Sequence, residues 1–221
     1  MDRKIEQESA FAKGNHNKPS YLIFKRIFDI LVSFTLLILF TPIFLLLMIL
    51  ILKMDGPPIF FKQIRTGRNH IPFVIWKFRT MRNDSHSPVL FDFEKWGEGI
   101  PDEFIFKSEM SQNVTKTGKF LRKYSLDELP QLFNVLKGDM SIVGPRPESS
   151  EFTKFYIETQ SKRLLVKPGL TGFAQINGRS EINHGQKIAY DLYYVKQCSL
   201  LLDVKIIMKT FIQVIRGKGA Y

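Results

Sequence analysis

Cysteine is nearly absent from this chain: Cys198 is the only one among 221 residues, so no internal disulfide can form and a reducing compartment is expected. Histidine is scarce too, and His16, His70, His86 and His184 show no zinc spacing among themselves or toward Cys198. There is no internal repeat and no low-complexity tract. The Gly-x-x-x-x-Gly-Lys phosphate loop, the Rossmann glycine fingerprint and the Gly-x-Ser-x-Gly elbow are missing, which removes support for the ordinary nucleotide-binding and hydrolase classes. Helix-turn-helix, zinc-finger and RNA-recognition patterns are missing as well, so nucleic acid is not the expected partner. Acidic residues are outnumbered, with 21 Asp and Glu against 32 Lys and Arg and a net charge of +11. With nucleic acid set aside, that balance points to an anionic bilayer surface or to phosphorylated substrates.

Charge vanishes altogether over residues 30–52. A helix of that length reaches about 35 Å, enough to cross a bilayer core of about 30 Å. The run is too long for a secretory signal, and no small-residue cleavage site follows it. Two features set a simple crossing against a hairpin that dips into one leaflet. Thr41-Pro42 falls near the middle of the run, where proline removes a helical hydrogen bond. Lys13, Lys18, Lys25 and Arg26 precede the run, while Lys53, Lys62, Arg65 and Arg68 follow it, so both ends favour the cytoplasmic side. On charge alone, both geometries stay open.

The remaining chain divides by composition. Residues 1–20 read as a flexible N-terminal arm, residues 21–54 as the membrane element, and residues 55–221 as a folded domain that follows it. Residues 57–61 look extended, 62–68 look like a basic turn, and 73–78 are rich enough in aromatic and β-branched side chains for a strand. Residues 84–109 carry seven acidic side chains against Lys95 and Lys107 and read as a surface insertion with little regular structure. Helical patterning covers 117–136, interrupted near Ser125 and Pro130, then 149–166, 181–197 and 200–215. The last of these has an apolar face of Leu201, Val204, Ile207, Met208, Phe211 and Ile215, suited either to the core or to the headgroup layer.

The segment Ser125-Leu126-Asp127-Glu128-Leu129-Pro130 supports two readings. Ser125 with Glu128 three residues on matches a helix capping box, with Asp127 favouring the first turn. Alternatively, adjacent carboxylates at a helix start point apart by about 100°, so one can attack phosphorus while the other holds a metal. Downstream, Arg146 stands between Pro145 and Pro147 on a stiff backbone, which suits bidentate phosphate binding. Residues 167–172 and 175–179 form two Gly-rich polar loops, and Gln175, Asn177 and Arg179 are candidates for amide and cation contacts to a base or sugar.

Several of these runs occur together and in order. They are Lys25-Arg26-Ile27-Phe28-Asp29, Lys77-Phe78-Arg79-Thr80-Met81, the long stretch over 125–141 and Val143-Gly144-Pro145-Arg146-Pro147. Pro168-Gly169-Leu170-Thr171-Gly172 and Asp191-Leu192-Tyr193-Tyr194-Val195 complete the set. Over residues 21–221 the chain resembles the bacterial sugar transferases, the monotopic phosphoglycosyl transferases. The resemblance implies that Asp127 attacks the β-phosphate of a UDP-sugar, releasing UMP, and that undecaprenyl phosphate then takes the phosphosugar from the enzyme. It implies that Glu128 helps hold Mg²⁺ and that Arg146 binds phosphate. Lys77, Arg79 and Arg122 are further phosphate-binding candidates, and Asp191 is a further substrate-binding candidate. It also implies a re-entrant helix broken at Thr41-Pro42, a cytoplasmic catalytic domain over residues 55–221, a seat on the cytoplasmic face of the bacterial inner membrane with its lipids as partners, and a first membrane step of polysaccharide or glycan synthesis.

The expected architecture is therefore α+β: a mostly helical membrane-associated domain with a short β-sheet, an N-terminal re-entrant hairpin and C-terminal amphipathic helices. Self-association is left open, and no residue discriminates among glucose, galactose and acetamido sugars. The competing class is a non-enzymatic scaffold that binds anionic lipid through its basic surface. It accounts for the charge and the apolar run but leaves the Asp-Glu segment without a purpose.

Overall fold

The computed structural model describes residues 14–82, 96, 99–105, 113–178 and 181–216. It opens on a 3₁₀ turn, Asn15–Asn17, followed by the long helix α1, Pro19–Asp55. The hairpin β1, Phe60–Thr66, and β2, Pro72–Phe78, comes next. Helix α2, Lys116–Lys123, leads through a 3₁₀ turn, Leu126–Glu128, into α3, Gln131–Lys137. Then come β3, Ser141–Val143, and the short helices α4, Ser150–Thr153, and α5, Glu158–Ser161. The chain closes with β4, Gly169–Thr171, α6, Phe173–Ile176, α7, His184–Gln197, and α8, Leu200–Ile215. The α+β expectation holds, but the strands form two separate two-stranded sheets: β1 with β2 antiparallel, and β3 with β4 parallel.

Helix α1 is long and apolar enough to cross a membrane. It is also stitched along its length to the rest of the molecule. Near its start Lys25 pairs with Asp203 at 2.8 Å, and Arg26 donates to the carbonyls of Val135 and Leu136 at the end of α3. Those are orphan carbonyls of a helix C-terminus, where a cation is most favourable. One turn on, the buried Asp29 carboxylate accepts from the Ser141 hydroxyl and the Ile142 amide of β3. Val32, Leu36 and Leu37 pack on the main core, and Phe44, Leu47 and Ile51 pack on a second cluster with Phe78 and Leu121. Phe24, Leu31, Phe34, Ile38, Leu39, Leu45 and Leu46, by contrast, are exposed. The helix continues unbroken through Thr41-Pro42, where the Thr41 hydroxyl donates to the Leu37 carbonyl at 2.7 Å. The proline therefore does not end the helix, and the Thr41 hydroxyl bonds the carbonyl one residue before that of Ile38, which Pro42 leaves without its donor.

Four other expectations change. Residues 62–66 are strand rather than turn, since β1 extends to Thr66 and the reversal lies at Gly67–Ile71. The described end of the N-terminal arm is docked: buried His16 bonds the Val195 carbonyl, and Asn15 donates to the Cys198 carbonyl. The described part of the acidic insertion is anchored by buried Trp96, packed against Phe104, Phe152 and Phe155; an indole of that size holds a polar loop by burial alone. The single helical stretch expected over 149–166 is three short pieces.

Asn134 couples α3 to the hairpin. Its side-chain oxygen accepts from the Trp76 amide at 3.1 Å and its amide donates to the Val74 carbonyl at 2.7 Å. Asn134→Ala would leave both main-chain groups without partners in a site where Asn134 is buried. We expect it to cost about 2–4 kcal/mol, read as a lower denaturant midpoint at unchanged slope. Gly138 ends α3 at φ 98, a left-handed value that its missing Cβ permits.

Candidate active site

Ser125 has φ 54 and ψ 24, and its hydroxyl makes no capping bond. The capping box is therefore not formed. The left-handed Ser125 instead turns the chain sharply between α2 and the Leu126–Glu128 turn, which brings the two carboxylates onto the end of β2. Glu128 does not reach back to Ser125. Its Oε1 accepts from Lys77 Nζ at 2.9 Å and from an Arg146 guanidinium nitrogen at 2.7 Å, and its Oε2 lies 3.4 Å from the other nitrogen. Strand β2 supplies Lys77, the Pro-Arg-Pro loop supplies Arg146, and both converge on a residue that the local sequence alone presents as a cap.

The dyad members are electrostatically distinct. Glu128 is held far below the usual carboxylate range because Arg146 and Lys77 more than offset the burial that works against its charge. Asp127, buried at 8% exposure, is pushed upward by burial and then by the Glu128 charge, with Lys77, Arg146 and Arg122 acting in the opposite sense. Two neighbouring carboxylates whose environments push them apart are suited to different roles. Asp127 is the one left without a close cation bond among the described residues.

Of the other expected site residues, Arg122 faces Asp127 electrostatically and donates through Nε to the Thr80 hydroxyl. Arg79 is placed elsewhere: it is buried and donates to the carbonyls of Asp55, Gly56 and Pro57, closing the C-terminal end of α1. Asp191 is not at the dyad either. It is buried and pairs with buried Arg163 at 2.6 Å. Asn177 bonds back to the Phe173 carbonyl, and both polar ends of the Gln175 amide are buried without a partner. Arg179 lies outside the described residues.

Three contributors escaped the sequence reading. Arg65 and Gln131 line a narrow cavity of about 20 Å³ with Lys77, Arg146 and Pro147, beside the dyad. That volume holds about one water. The buried Gln131 Nε2 has no partner there. The third is Arg163, whose guanidinium donates to the Arg146 carbonyl at 2.9 Å, to the Tyr156 hydroxyl and to Asp191. It holds the Pro-Arg-Pro loop from behind. Position 163 sits in a helical run with no local signal; only the partners brought by α7 give it a role.

Among the described residues, no cluster of three or more His, Cys, Asp and Glu side chains could cage a metal. Magnesium seldom needs such a cage: it is commonly held by one or two carboxylates together with substrate phosphates. Glu128, the carboxylate expected to hold it, accepts from Lys77 and Arg146 through Oε1, so a metal would share Glu128 with those cations.

A family model described as "Bacterial sugar transferase" matches residues 20–217. The chain is 42% identical to the uncharacterized sugar transferase EpsL of Bacillus subtilis, covering 90% of each protein. It is 39% identical to the exopolysaccharide production protein ExoY of Rhizobium meliloti, over 89% of this chain and 88% of that one. A Klebsiella pneumoniae protein named UDP-glucose:undecaprenyl-phosphate glucose-1-phosphate transferase is 41% identical over 90% of this chain, which spans 42% of that longer relative.

Proposed function

This chain belongs to the bacterial sugar transferase family, and from that premise we propose that it moves a sugar-1-phosphate from a UDP-sugar to undecaprenyl phosphate. The observation that carries the reading is the asymmetric dyad: a buried Asp127 that makes no ion pair among the described residues, beside a Glu128 clamped by Lys77 and Arg146. An Asp127 oxygen attacks the β-phosphorus, the bond from that phosphorus to the bridging oxygen breaks, and UMP leaves with the electron pair. An oxygen of the polyprenyl phosphate then attacks the same phosphorus and releases Asp127. Arg146, Lys77 and Arg122 offset the diphosphate charge that would otherwise repel a carboxylate nucleophile. Glu128 would help hold Mg²⁺, which when bound supplies further charge compensation on the phosphates.

The membrane arrangement we propose is monotopic, with both ends of α1 on the cytoplasmic face of the inner membrane and no hairpin break at Thr41-Pro42. A crossing helix carries its far end about 30 Å from the domain it leaves. Helix α1 instead touches the same body at Lys25, Asp29, Leu37, Phe44 and Ile51 and presents an exposed apolar face between those contacts. Lysines and arginines at both ends suit one aqueous side. Helix α8 supports the same plane: Leu201, Val204, Met208, Phe211 and Ile215 are exposed in a stripe, flanked by Lys205, Lys209 and Arg216, while Asp203 and Ile206 face inward. Such a stripe suits the headgroup layer better than water. This places a lipid phosphate and a soluble nucleotide at one surface, as a first membrane step of polysaccharide or glycan assembly requires.

Purified protein with polyprenyl phosphate, Mg²⁺ and a panel of UDP-sugars should release UMP with one sugar or a narrow set. The absence of UMP from every sugar, with folded and membrane-bound protein, would return the scaffold reading to first place.

A further inference from the structure

A cavity larger than the one beside the dyad lies at the start of α1. It measures about 160 Å³, and five of its lining residues, Tyr21, Leu22, Lys25, Arg26 and Asp29, come from the first turns of α1. Arg68 and Lys167 close it from the β1–β2 turn and from the segment before β4. One water takes about 10–15 Å³ of such space, so the cavity has room for a polyatomic group. It shares no lining residue with the cavity beside the dyad.

Its charges do not balance. Four cations, Lys25, Arg26, Arg68 and Lys167, meet one carboxylate, Asp29. Lys25 is matched by Asp203, Arg26 donates to the α3 carbonyls, and Asp29 takes two β3 donors on its Oδ1. That leaves Arg68 and Lys167 without a carboxylate partner among the described residues. The Arg68 Nε is buried with no hydrogen-bond partner at all. Lys167 Nζ and the Arg26 guanidinium crowd the same side of Gly138, at 3.5 and 3.4 Å from where a Cβ would stand. Burial and then the Arg26 charge push the Lys167 ammonium downward, with Asp29 and Asp139 acting in the opposite sense. Partly buried cations that outnumber the carboxylates around them favour an anion in the space they share.

We infer that this cavity is a second anion site, taking the phosphate group of a phosphomonoester or phosphodiester through Arg68 and Lys167. Guanidinium and ammonium donors suit phosphate oxygens, and the apolar Leu22, Leu165 and Val166 in the same wall suit a group with a hydrocarbon attachment. The site lies where the apolar face of α1 begins, beside exposed Ile23, Phe24 and Ile27, the level at which headgroup phosphates are met. Occupancy would cross-link the start of α1, the hairpin turn and the approach to β4, and so fasten the membrane element to the domain.

The test uses the full chain in detergent micelles and follows the thermal midpoint. One arm adds inorganic phosphate against chloride at equal ionic strength; the other dopes the micelles with phosphatidylglycerol against phosphatidylcholine. The wild type should rise by about 3 °C or more in at least one arm. Arg68→Gln with Lys167→Gln should raise the half-saturating concentration at least tenfold, without lowering the midpoint measured in the absence of ligand. Lys167→Arg alone should keep the response, and Lys167→Gln alone carries the comparison if the double variant does not fold. A rise with phosphate alone assigns a soluble ligand, and a rise with phosphatidylglycerol alone assigns a lipid headgroup. No rise in either arm, or an equal rise in the Gln variants, overturns the site. The second outcome would mean that phosphate binds at the dyad, so the readout does not depend on the proposed reaction.

Discussion

Asp127→Asn should abolish UMP release, by about 10³-fold or more, while leaving the protein as stable as the wild type or more stable. The loss follows from replacing a nucleophile by an amide that cannot form the phosphoryl bond, and residual positioning alone recovers little of that. The stability side has its own sign. Burial and the Glu128 charge raise the Asp127 carboxyl above its ordinary value. The folded state therefore binds this proton more tightly than the unfolded chain does. Its effect on stability is neutral below the unfolded value and becomes a cost as pH rises through the folded one. At neutral pH the ionised group is a burden, and Asn removes it. The same shift predicts that activity falls on acidification at a higher pH than an ordinary aspartate would give. Glu128→Gln should behave oppositely, because its charge is held by Arg146 and Lys77; removing it leaves two cations facing each other and lowers the melting midpoint. Activity and thermal denaturation measured on both variants separate the roles. A stable Asp127→Asn protein that still releases UMP at the wild-type rate would remove Asp127 as nucleophile.

Asp191→Ala should cost about 3–5 kcal/mol, a large part of the 5–15 kcal/mol typical of a folded domain. Arg163 and Asp191 are each about 1% exposed and lie 2.6 Å apart, with Glu148 and Lys187 in the same cluster. Burial of Asp191 outweighs what Arg163 returns, so its carboxyl is raised, and the pair is no bonus over apolar packing. Deleting one partner is another matter, since it strands a guanidinium in the interior. Replacing both, as in Arg163→Met with Asp191→Leu, should restore much of the stability. It should not restore the rate, because the Arg146 carbonyl still lacks the donor that positions the Pro-Arg-Pro loop. Full recovery of activity in the double variant would show that Arg163 serves packing only.

This cluster also predicts an acid limit. Glu148 is held at about 2 by Lys187 and Arg163 despite its burial. Its contribution, about 3 kcal/mol, is present above its unfolded value near 4.5 and is lost as pH falls toward 2. His184, lowered to about 4 by burial, adds to the loss between about 6.5 and 4, where the unfolded chain binds the proton more readily. Denaturation midpoints should therefore fall on acidification, first through the histidine window and then through the glutamate one.

What local chemistry encodes was legible without coordinates. The charge-free run, the aromatic strand over 73–78 and the apolar period of residues 200–215 each carry their signal within a few neighbouring residues; the last two became the expected strand and helix, and the first became a helix without the expected break at Thr41-Pro42. The Asp-Glu pair stood out as two carboxylates at a turn, and family resemblance supplied a chemistry for it. Long-range pairing was beyond reach, because nothing in a local window says which distant partner a side chain meets. Ser125 has the sequence of a cap and the backbone of a left-handed turn. Arg79 was expected at phosphate and instead closes the end of α1. Lys25, Arg26 and Asp29 were visible only as a motif, and the fold alone made them three stitches to α8, α3 and β3. The sequence by itself therefore determined which residues carry the charge and where the apolar faces run, because those follow from residue type and period. The tertiary structure decided which cations clamp Glu128, which leave Asp127 uncompensated and which stand unpaired around the second cavity, because pairing in a low-dielectric interior depends on elements far apart in the chain.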